Sequence, residues 1–211
     1  GRSPMPGPGL FGQGGTGFAE DQMLHGAPDG TTGIDECRHT RGVQRKIIYW
    51  LLDDQTSPSV GVDAAKKLVD VQQVPAIVGA LSSGVSAAIL TSVTAPGKVV
   101  QISPASTSPT FTEMAQQGKT GGFWFRTTPS DALQGVAMAK VAYDAGLKKV
   151  AVMYLNNPYG QGLSQEFTAA FARLGGTVTQ NVVYNPSQPS YRAEVAKASS
   201  PVPDALFLIG Y

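Results

Sequence analysis

The chain has 211 residues, with 16 Lys and Arg against 15 Asp and Glu and a formal net charge of +1. This length allows one or two domains, and a balanced charge without a basic stripe argues against nucleic acid as a partner. No apolar run in the sequence approaches the ~20 residues of a transmembrane helix, so we expect no membrane insertion of this chain. The single cysteine, Cys37, excludes an internal disulfide and most cysteine metal sites.

The first 45 residues follow no regular pattern. Glycine and proline interrupt any helical period, so 1–45 is expected to be an irregular segment, either an insertion or a stretch out of frame. Gly12, Gly14 and Gly17 spell G-x-G-x-x-G, which binds dinucleotides when a strand precedes it and a helix follows it. The flanking residues offer neither, so a flexible loop is the preferred interpretation and we expect no cofactor.

Regular periodicity begins at Lys46. The apolar run Ile47–Leu52 predicts a strand that is covered on both faces, as in a parallel sheet. Asp53-Asp54 then suggests either a metal site or, preferably, the end of that strand and the start of a helix. The buried face of this helix is predicted to contain Val62, Ala65, Leu68 and Val69.

Two short apolar runs next each end in small, hydroxyl-bearing residues. Ala76–Val78 is followed by GALSSG, and Val99–Ile102 is followed by SPAST. The segment from Gly84 to Ala95 has the length of a helix, so we predict two parallel strands joined by a crossover helix. Ligands of open parallel sheets bind outside the carboxyl ends of the strands. The two hydroxyl clusters therefore mark a candidate binding site.

Strands and helices continue to alternate in the second half. A polar loop is predicted over Ser108 to Gly122, and Asp131 with Gln134 matches a capping box at the start of a helix. The strands are predicted at Phe123–Thr127, Lys149–Tyr154, Val178–Tyr184 and Ala205–Ile209. The buried helical faces are predicted to contain Ala132, Val136, Ala139 and Tyr143, and then Leu163, Phe167, Ala170, Phe171 and Leu174.

Six motifs occur in the order DDQTSP, VGALSS, ISPAST, FRTTPSDALQG, NNPYGQGL and PDALFLIGY. Together they resemble the substrate-binding proteins of leucine/isoleucine/valine-type amino-acid ABC transporters, over roughly Lys46 to Tyr211. The resemblance implies a type I periplasmic binding fold, an α/β architecture with two doubly wound parallel-sheet lobes around a cleft. It implies that 46–127 is part of lobe 1 and 128–211 part of lobe 2. We expect a missing carboxyl-terminal part, because a helix must cover the last sheet.

The same resemblance implies five ligand contacts. Ser83, at the start of a helix, would bind the carboxylate of an amino acid, while the Ala105 carbonyl and the Thr107 hydroxyl would accept from its ammonium group. Tyr159 and Tyr211 would close over the ligand from lobe 2. From the residues alone, the preferred explanation is that Ser82 or Ser83 caps the helix and that SPAST is a turn. Tyr159 is then a surface turn residue, and Tyr211 a terminal one.

The implied function is that of a periplasmic or otherwise extracytoplasmic solute-binding protein. It would capture an amino acid or small amide and deliver it to an ABC permease, without catalysis. The sequence contains no G-x-S-x-G, H-E-x-x-H or P-loop motif that would favour an enzyme. The alternative is a ligand-sensing domain of a receptor or transcription regulator with the same fold. An NAD-dependent enzyme would need a strand before Gly12.

Overall fold

The computed structural model describes residues 31–34 and 47–211, and only the backbone of 31–34, 47 and 48. Two compact units are present, 1–51 with Tyr211 and 52–210. Most of the segment predicted to be irregular lies outside the described residues, and so does the G-x-G-x-x-G motif.

The first unit contains a short antiparallel sheet. β1 (Thr31–Ile34) pairs with β2 (Ile47–Trp50), with Thr31 opposite Trp50 and Ile34 opposite Ile47. This corrects the prediction that Ile47–Leu52 is a strand of a parallel sheet, and β1 was not predicted. A continuous apolar run indicates a covered strand, but it contains no signal for the identity or the direction of the partner strand.

The second unit alternates strands and helices. Its strands are β3 (Ala76–Val78), β4 (Val100–Ser103), β5 (Trp124–Arg126), β6 (Lys149–Leu155), β7 (Thr177–Tyr184) and β8 (Ala205–Ile209). Its helices are α1 (Pro58–Lys66), α2 (Ser83–Ile89), α3 (Ala95–Gly97), α4 (Thr110–Gln116), α5 (Asp131–Asp144), α6 (Pro158–Arg173) and α7 (Arg192–Ala198). Two wider π-helical turns, Lys67–Val71 and Leu90–Thr94, extend α1 and α2.

Two parallel sheets organise this unit. Their strand orders are β3-β4-β5 and β7-β6-β8, and every pair of neighbouring strands in them is parallel. Ile77 pairs with Gln101 in the first sheet, and Val152 pairs with Phe207 in the second. Parallel neighbours need a crossover connection, and helices supply it here. The predicted α/β class with parallel strands is confirmed.

Each sheet has its own apolar core. In the first, Ile77 of β3 packs with Ala65 of α1 and with Val85 and Ile89 of α2. In the second, β6 and β8 pack against α5 and α6, and the Phe167 ring stacks on Phe207 with a centroid distance of 4.2 Å. Burial of such side chains is the main stabilising contribution to either sheet.

The helical faces follow the predictions in α6 more closely than in α5. Leu163, Phe167, Ala170 and Phe171 are buried as predicted, whereas Leu174 follows the helix end and is 38% exposed. In α5 the buried face contains Gly135 and Ala139, and Val136 is 43% exposed. A Cβ on Gly135 would lie 2.6 Å from Glu166 Cβ. Ala139 is buried as predicted and Ala132 and Tyr143 are half-buried, so only Val136 is placed wrongly. The close approach of α5 to α6 puts Gly135 on the buried face, which apolar periodicity does not predict.

A short helix occupies part of the predicted polar loop. α4 begins at Thr110, and its only buried residue is Phe111, which is 1% exposed. The Phe111 ring stacks on Trp124 of β5 at 4.1 Å. The aromatic contact with a distant strand stabilises this helix, and one buried residue in seven gives no helical period in the sequence.

Candidate functional site

The carboxyl ends of β3 and β4 are joined by buried hydroxyl groups. We name the segments that follow them the β3 loop (79–82) and the β4 loop (104–109). The Ser103 hydroxyl donates to the Ala80 carbonyl oxygen at 2.6 Å, and the Ser106 hydroxyl donates to the Leu81 carbonyl oxygen at 3.1 Å. Both serines have no exposed surface. Their hydroxyls therefore hold the two loops together and do not face a ligand.

A buried glutamine completes this support. Gln101 of β4 donates from Nε2 to the carbonyl oxygens of Gly79 at 3.1 Å and Ser86 at 3.3 Å. Its Oε1 accepts from the Thr94 hydroxyl at 2.7 Å. Because buried polar groups need partners, this set of bonds fixes the β3 loop and the first turn of α2 relative to the sheet. No sequence motif includes Gln101.

Ser83 is the first residue of α2 and is 2% exposed. Its Oγ accepts a hydrogen bond from the Ser108 backbone N–H at 3.3 Å. Ser82 holds the N-cap position, without a side-chain capping bond. The expectation that Ser82 or Ser83 caps α2 through its hydroxyl is therefore wrong. The Ser83 hydroxyl instead links α2 to the β4 loop.

Thr107 is half-buried and is bound by the first residue of α5. Its hydroxyl donates to Asp131 Oδ2 at 2.8 Å, and the Asp131 N–H donates to the Thr107 carbonyl oxygen at 2.9 Å. Ser130 is the N-cap of α5, and its hydroxyl accepts from the Ala132 N–H at 3.3 Å. This corrects the capping box predicted for Asp131. The local sequence fits a capping box, but the Asp131 carboxylate instead accepts a hydrogen bond from Thr107, which is distant in the sequence.

Arg126 fixes the β4 loop from the adjacent strand. Its Nη1 donates to the carbonyl oxygens of Ser106 at 3.2 Å and Ser108 at 2.9 Å. Burial raises the pKa of the Asp131 carboxyl, opposed by the Thr107 hydrogen bond and by the charge of Arg126. Burial also lowers the pKa of the Arg126 guanidinium, opposed by Asp131. The sequence pattern does not single out Arg126 and indicates only a helix cap for Asp131, since the partners of both residues lie far away along the chain.

The start of α6 meets the same loop. The Ser108 hydroxyl donates to the Pro158 carbonyl oxygen at 2.8 Å, and Tyr159, the next residue, is half-buried against the core of the second sheet. Ala105 is exposed at the tip of the loop, and its N–H donates to Ser103 Oγ at 3.3 Å.

The structure thus brings four of the five predicted ligand contacts to one region. They are Ser83, Ala105, Thr107 and Tyr159. Tyr211 follows β8, is 67% exposed and groups with the first unit.

The NNPYGQG motif has a structural explanation. Asn157 caps α6 by accepting from the Gly160 N–H at 2.9 Å, and Pro158 occupies the first turn, where proline is favoured. A Cβ on Gly160 would overlap the Leu155 backbone, and a Cβ on Gly162 would lie 2.6 Å from Pro109 Cδ. Both glycines therefore permit the close approach of α6 to its surroundings.

The acidic pair after β2, Asp53-Asp54, forms hydrogen bonds with the backbone of the residues that follow it. The Asp53 and Asp54 carboxylates accept from the N–H groups of Gln55 and Thr56, each at 2.8 Å. Within 31–34 and 47–211, no group of three or more His, Cys, Asp or Glu is placed to hold a metal ion. The helices of the described part of the chain also include none with the length and hydropathy of a membrane span.

A family model described as periplasmic binding protein matches residues 18–211. The chain belongs to the periplasmic binding protein family. The match covers the α/β region that carries the candidate site, and it confirms the recognition made from the six sequence motifs. This periplasmic binding protein has relatives among both curated sequences and solved structures.

Two curated relatives illustrate the range of this family. The Leu/Ile/Val-binding protein BraC3 of Rhizobium johnstonii is 30% identical over 193 residues, which cover 90% of this chain and 50% of the relative. The chemotactic signal transduction system substrate-binding protein BasB of Halobacterium salinarum is 29% identical over 213 residues, which cover 98% and 48%. This periplasmic binding protein chain thus spans about half the length of the curated relatives it matches.

A solved structure supports the fold directly. The leucine binding protein LivK of Thermotoga maritima matches with a TM-score of 0.68 and 34% identity, over 77% of this chain and 45% of that chain. The type I periplasmic binding fold expected from the sequence is therefore confirmed for the part that is matched.

Proposed function

We propose that this periplasmic binding protein is an extracytoplasmic solute-binding protein for an amino acid or a small amide. Its ligand is held in a cleft between lobe 1 (46–127) and lobe 2 (128–211), and the loaded protein delivers it to an ABC permease. The ligand is bound and released unchanged. The names of BraC3 and LivK, Leu/Ile/Val-binding and leucine binding, support this class of ligand.

The observation that carries the proposal is the convergence at the strand ends. Ser83 begins α2 directly after the β3 loop, and Thr107 lies on the β4 loop, which follows the neighbouring parallel strand. Ser108 bonds to both Ser83 and the start of α6, next to Tyr159. Ligands of open parallel sheets bind at this edge. The loops are held by buried hydrogen bonds before any ligand arrives, and such preorganisation lowers the entropy loss of binding.

Each end of an α-amino acid has a partner in this arrangement. The Ser83 hydroxyl and nearby backbone N–H groups are suited to the carboxylate, and the Ala105 carbonyl and the Thr107 hydroxyl are suited to the ammonium group. The Tyr159 ring offers an apolar face and a hydroxyl edge to the remainder of the ligand. The ligand contact of Tyr211 is proposed from the family resemblance alone.

The proposal is tested by ligand screening of the intact protein. Thermal shift against the proteinogenic amino acids, their amides, sugars and aromatic acids should give one stabilising chemical class, with an amino acid or amide in it. A ligand at a hundred times its Kd stabilises the folded state by about 2.7 kcal/mol, which a melting curve detects. Titration calorimetry then gives the affinity of the best ligand. Stabilisation by none of the amino acids or amides would exclude the proposed ligand class.

A second candidate function is ligand sensing for a signalling system. It is favoured by the relative BasB, which is named as a component of chemotactic signal transduction. Deletion of the gene separates the two functions, because loss of ligand uptake indicates transport and loss of the behavioural response with uptake intact indicates sensing.

A further inference from the structure

Thr107 and Asp131 are joined by two hydrogen bonds of opposite direction. The Thr107 hydroxyl donates to Asp131 Oδ2 at 2.8 Å, and the Asp131 N–H donates to the Thr107 carbonyl oxygen at 2.9 Å. Asp131 has no exposed surface, and its Oδ1 has no hydrogen-bond partner among the described residues. An ionised carboxylate only accepts, so the hydrogen shared with Thr107 belongs to the threonine.

The surrounding hydrogen bonds fix the backbone on both sides of Thr107. Arg126 binds the carbonyl oxygens of Ser106 and Ser108 on either side of it, and Asp131 binds its own carbonyl oxygen. Burial raises the pKa of Asp131, while the Thr107 hydrogen bond and the charge of Arg126 oppose this rise and favour the ionised form. The backbone of the β4 loop is therefore fixed while the hydroxyl hydrogen of Thr107 points to Asp131.

Ser83 has the reverse polarity. Its Oγ accepts from the Ser108 N–H, and a serine hydroxyl that accepts one bond retains its hydrogen for donation. Thr107 Oγ1, which donates its hydrogen to Asp131, retains lone pairs. Ser83 can thus donate a hydrogen bond to a ligand, and Thr107 can accept one.

We propose that Asp131 is a positioning residue that selects the chemistry of the ligand group at Thr107. Because the hydroxyl hydrogen is committed to Asp131, Thr107 Oγ1 accepts only, and the ligand group that meets it is an ammonium or an amide N–H. A carboxylate or another group without a donor is rejected at this position. The negative charge behind Thr107 further favours a cation. This inference rests on the proposed function and specifies how its ligand is recognised.

The test compares two probes on the intact protein by titration calorimetry. L-Leucine and 4-methylpentanoate share the carboxylate and the branched side chain, but the second lacks the ammonium group. The wild type should prefer leucine. Asp131→Asn keeps the shape, removes the charge and can donate its amide N–H to Thr107 Oγ1, which frees the Thr107 hydroxyl hydrogen to point at the ligand. The affinity for leucine should fall by about tenfold to a hundredfold, and that for 4-methylpentanoate should stay or rise.

Two further variants make the result specific. Asp144→Asn changes an exposed acid of the same helix, which pairs with Lys140, and should leave both affinities unchanged. Thr107→Val removes the acceptor with little change in volume and should reproduce the loss of preference for leucine. Adding Asp131→Asn to Thr107→Val should then cause little further loss, because the two residues act as one unit. Thr107→Val alone carries the test if Asp131→Asn does not fold.

The outcomes separate this inference from the proposed function. If Asp131→Asn weakens both probes equally, or leaves leucine binding unchanged, Asp131 has a structural role only and the inference is wrong. If the wild type binds 4-methylpentanoate as tightly as leucine, Thr107 does not require a donor and the inference is wrong, although the protein still binds a solute. If it binds neither probe nor any amino acid or amide, the proposed function itself is wrong and the inference falls with it.

Discussion

The Ser108 hydroxyl donates a hydrogen bond of 2.8 Å to the carbonyl oxygen of Pro158. This bond joins the loop after β4 to the first turn of α6. Pro109, the next residue, lies against Gly162 one turn further along the helix, where an added Cβ would come within 2.6 Å of its ring. The contact between the β4 loop and α6 thus has one polar and one tightly packed component, and each can be changed separately.

Removal of the Ser108 hydroxyl tests the polar component. Ser108→Ala should lower the free energy of unfolding by about 0.5–1.5 kcal/mol, since it removes a hydrogen bond that a fully buried hydroxyl donates. Urea unfolding of the intact protein measures this change. Ser59→Ala removes an exposed hydroxyl in α1 and should change stability by less than about 0.5 kcal/mol. Equal effects of the two variants would show that the bond to Pro158 contributes nothing.

A methyl group at Gly162 tests the packed component. Gly162→Ala should destabilise the protein by about 1–3 kcal/mol, because the rigid proline ring must move, and this outweighs the gain of up to about 1 kcal/mol in helix propensity. Gly84→Ala is the matched control in α2. Its Cβ would lie 3.5 Å from Pro158 Cδ, an ordinary contact, so only the propensity gain is expected. A stabilised Gly162→Ala variant would contradict the geometry described here.

Replacement of Gln101 tests the support under the β3 loop. Gln101→Met keeps the length of the side chain but leaves the partners at Gly79, Ser86 and Thr94 without their bonds. At about 1–3 kcal/mol for each buried unsatisfied group, the loss in unfolding free energy should exceed about 2 kcal/mol. Gln134→Met, at an exposed position of α5, should lie close to wild type. If both variants unfold at the wild-type urea concentration, the buried bonds do not stabilise the loops.

The sequence predicts those features of the fold that repeat with a short period. The parallel pair β3 and β4 follows from two apolar runs separated by a helix-length segment, and the buried face of α6 follows from its apolar spacing. The partner of β2 is not predictable in this way, since an apolar run does not record its neighbour. α4 depends on one stacked pair, Phe111 with Trp124, which no local pattern shows.

The candidate site is predicted only in part for a related reason. Motif positions drew attention to Ser83, Ala105, Thr107 and Tyr159, but their roles toward a ligand stay predictions. Asp131 looked like a helix cap because its local sequence fits one, whereas its carboxylate bonds to Thr107, 24 residues away. Contacts over such separations are set by packing and leave no period in the sequence.

The Asp131 carboxyl should make its own contribution to the pH dependence of stability. Burial raises its pKa above the ordinary value of 3.8, so the folded protein binds this proton more tightly than the unfolded chain. The stabilising contribution is fully present below pH 3.8 and is lost as the pH rises through the raised pKa of the folded state. Asp131→Asn does not titrate, so its stability relative to wild type should increase as the pH rises through this window.

Asp204 provides a control of opposite sign within the same protein. The N–H groups of Lys148 and Lys149 each donate to its Oδ2 at 2.8 Å, and these bonds lower its pKa below 3.8. Its contribution is present above pH 3.8 and is lost as the pH falls through the lowered pKa of the folded state. Urea unfolding of wild type, Asp131→Asn and Asp204→Asn from about pH 3 to about pH 7 should therefore give difference curves of opposite slope. Slopes of the same sign would mean that Asp131 is stabilised in its ionised form, with Arg126 and Thr107 outweighing its burial.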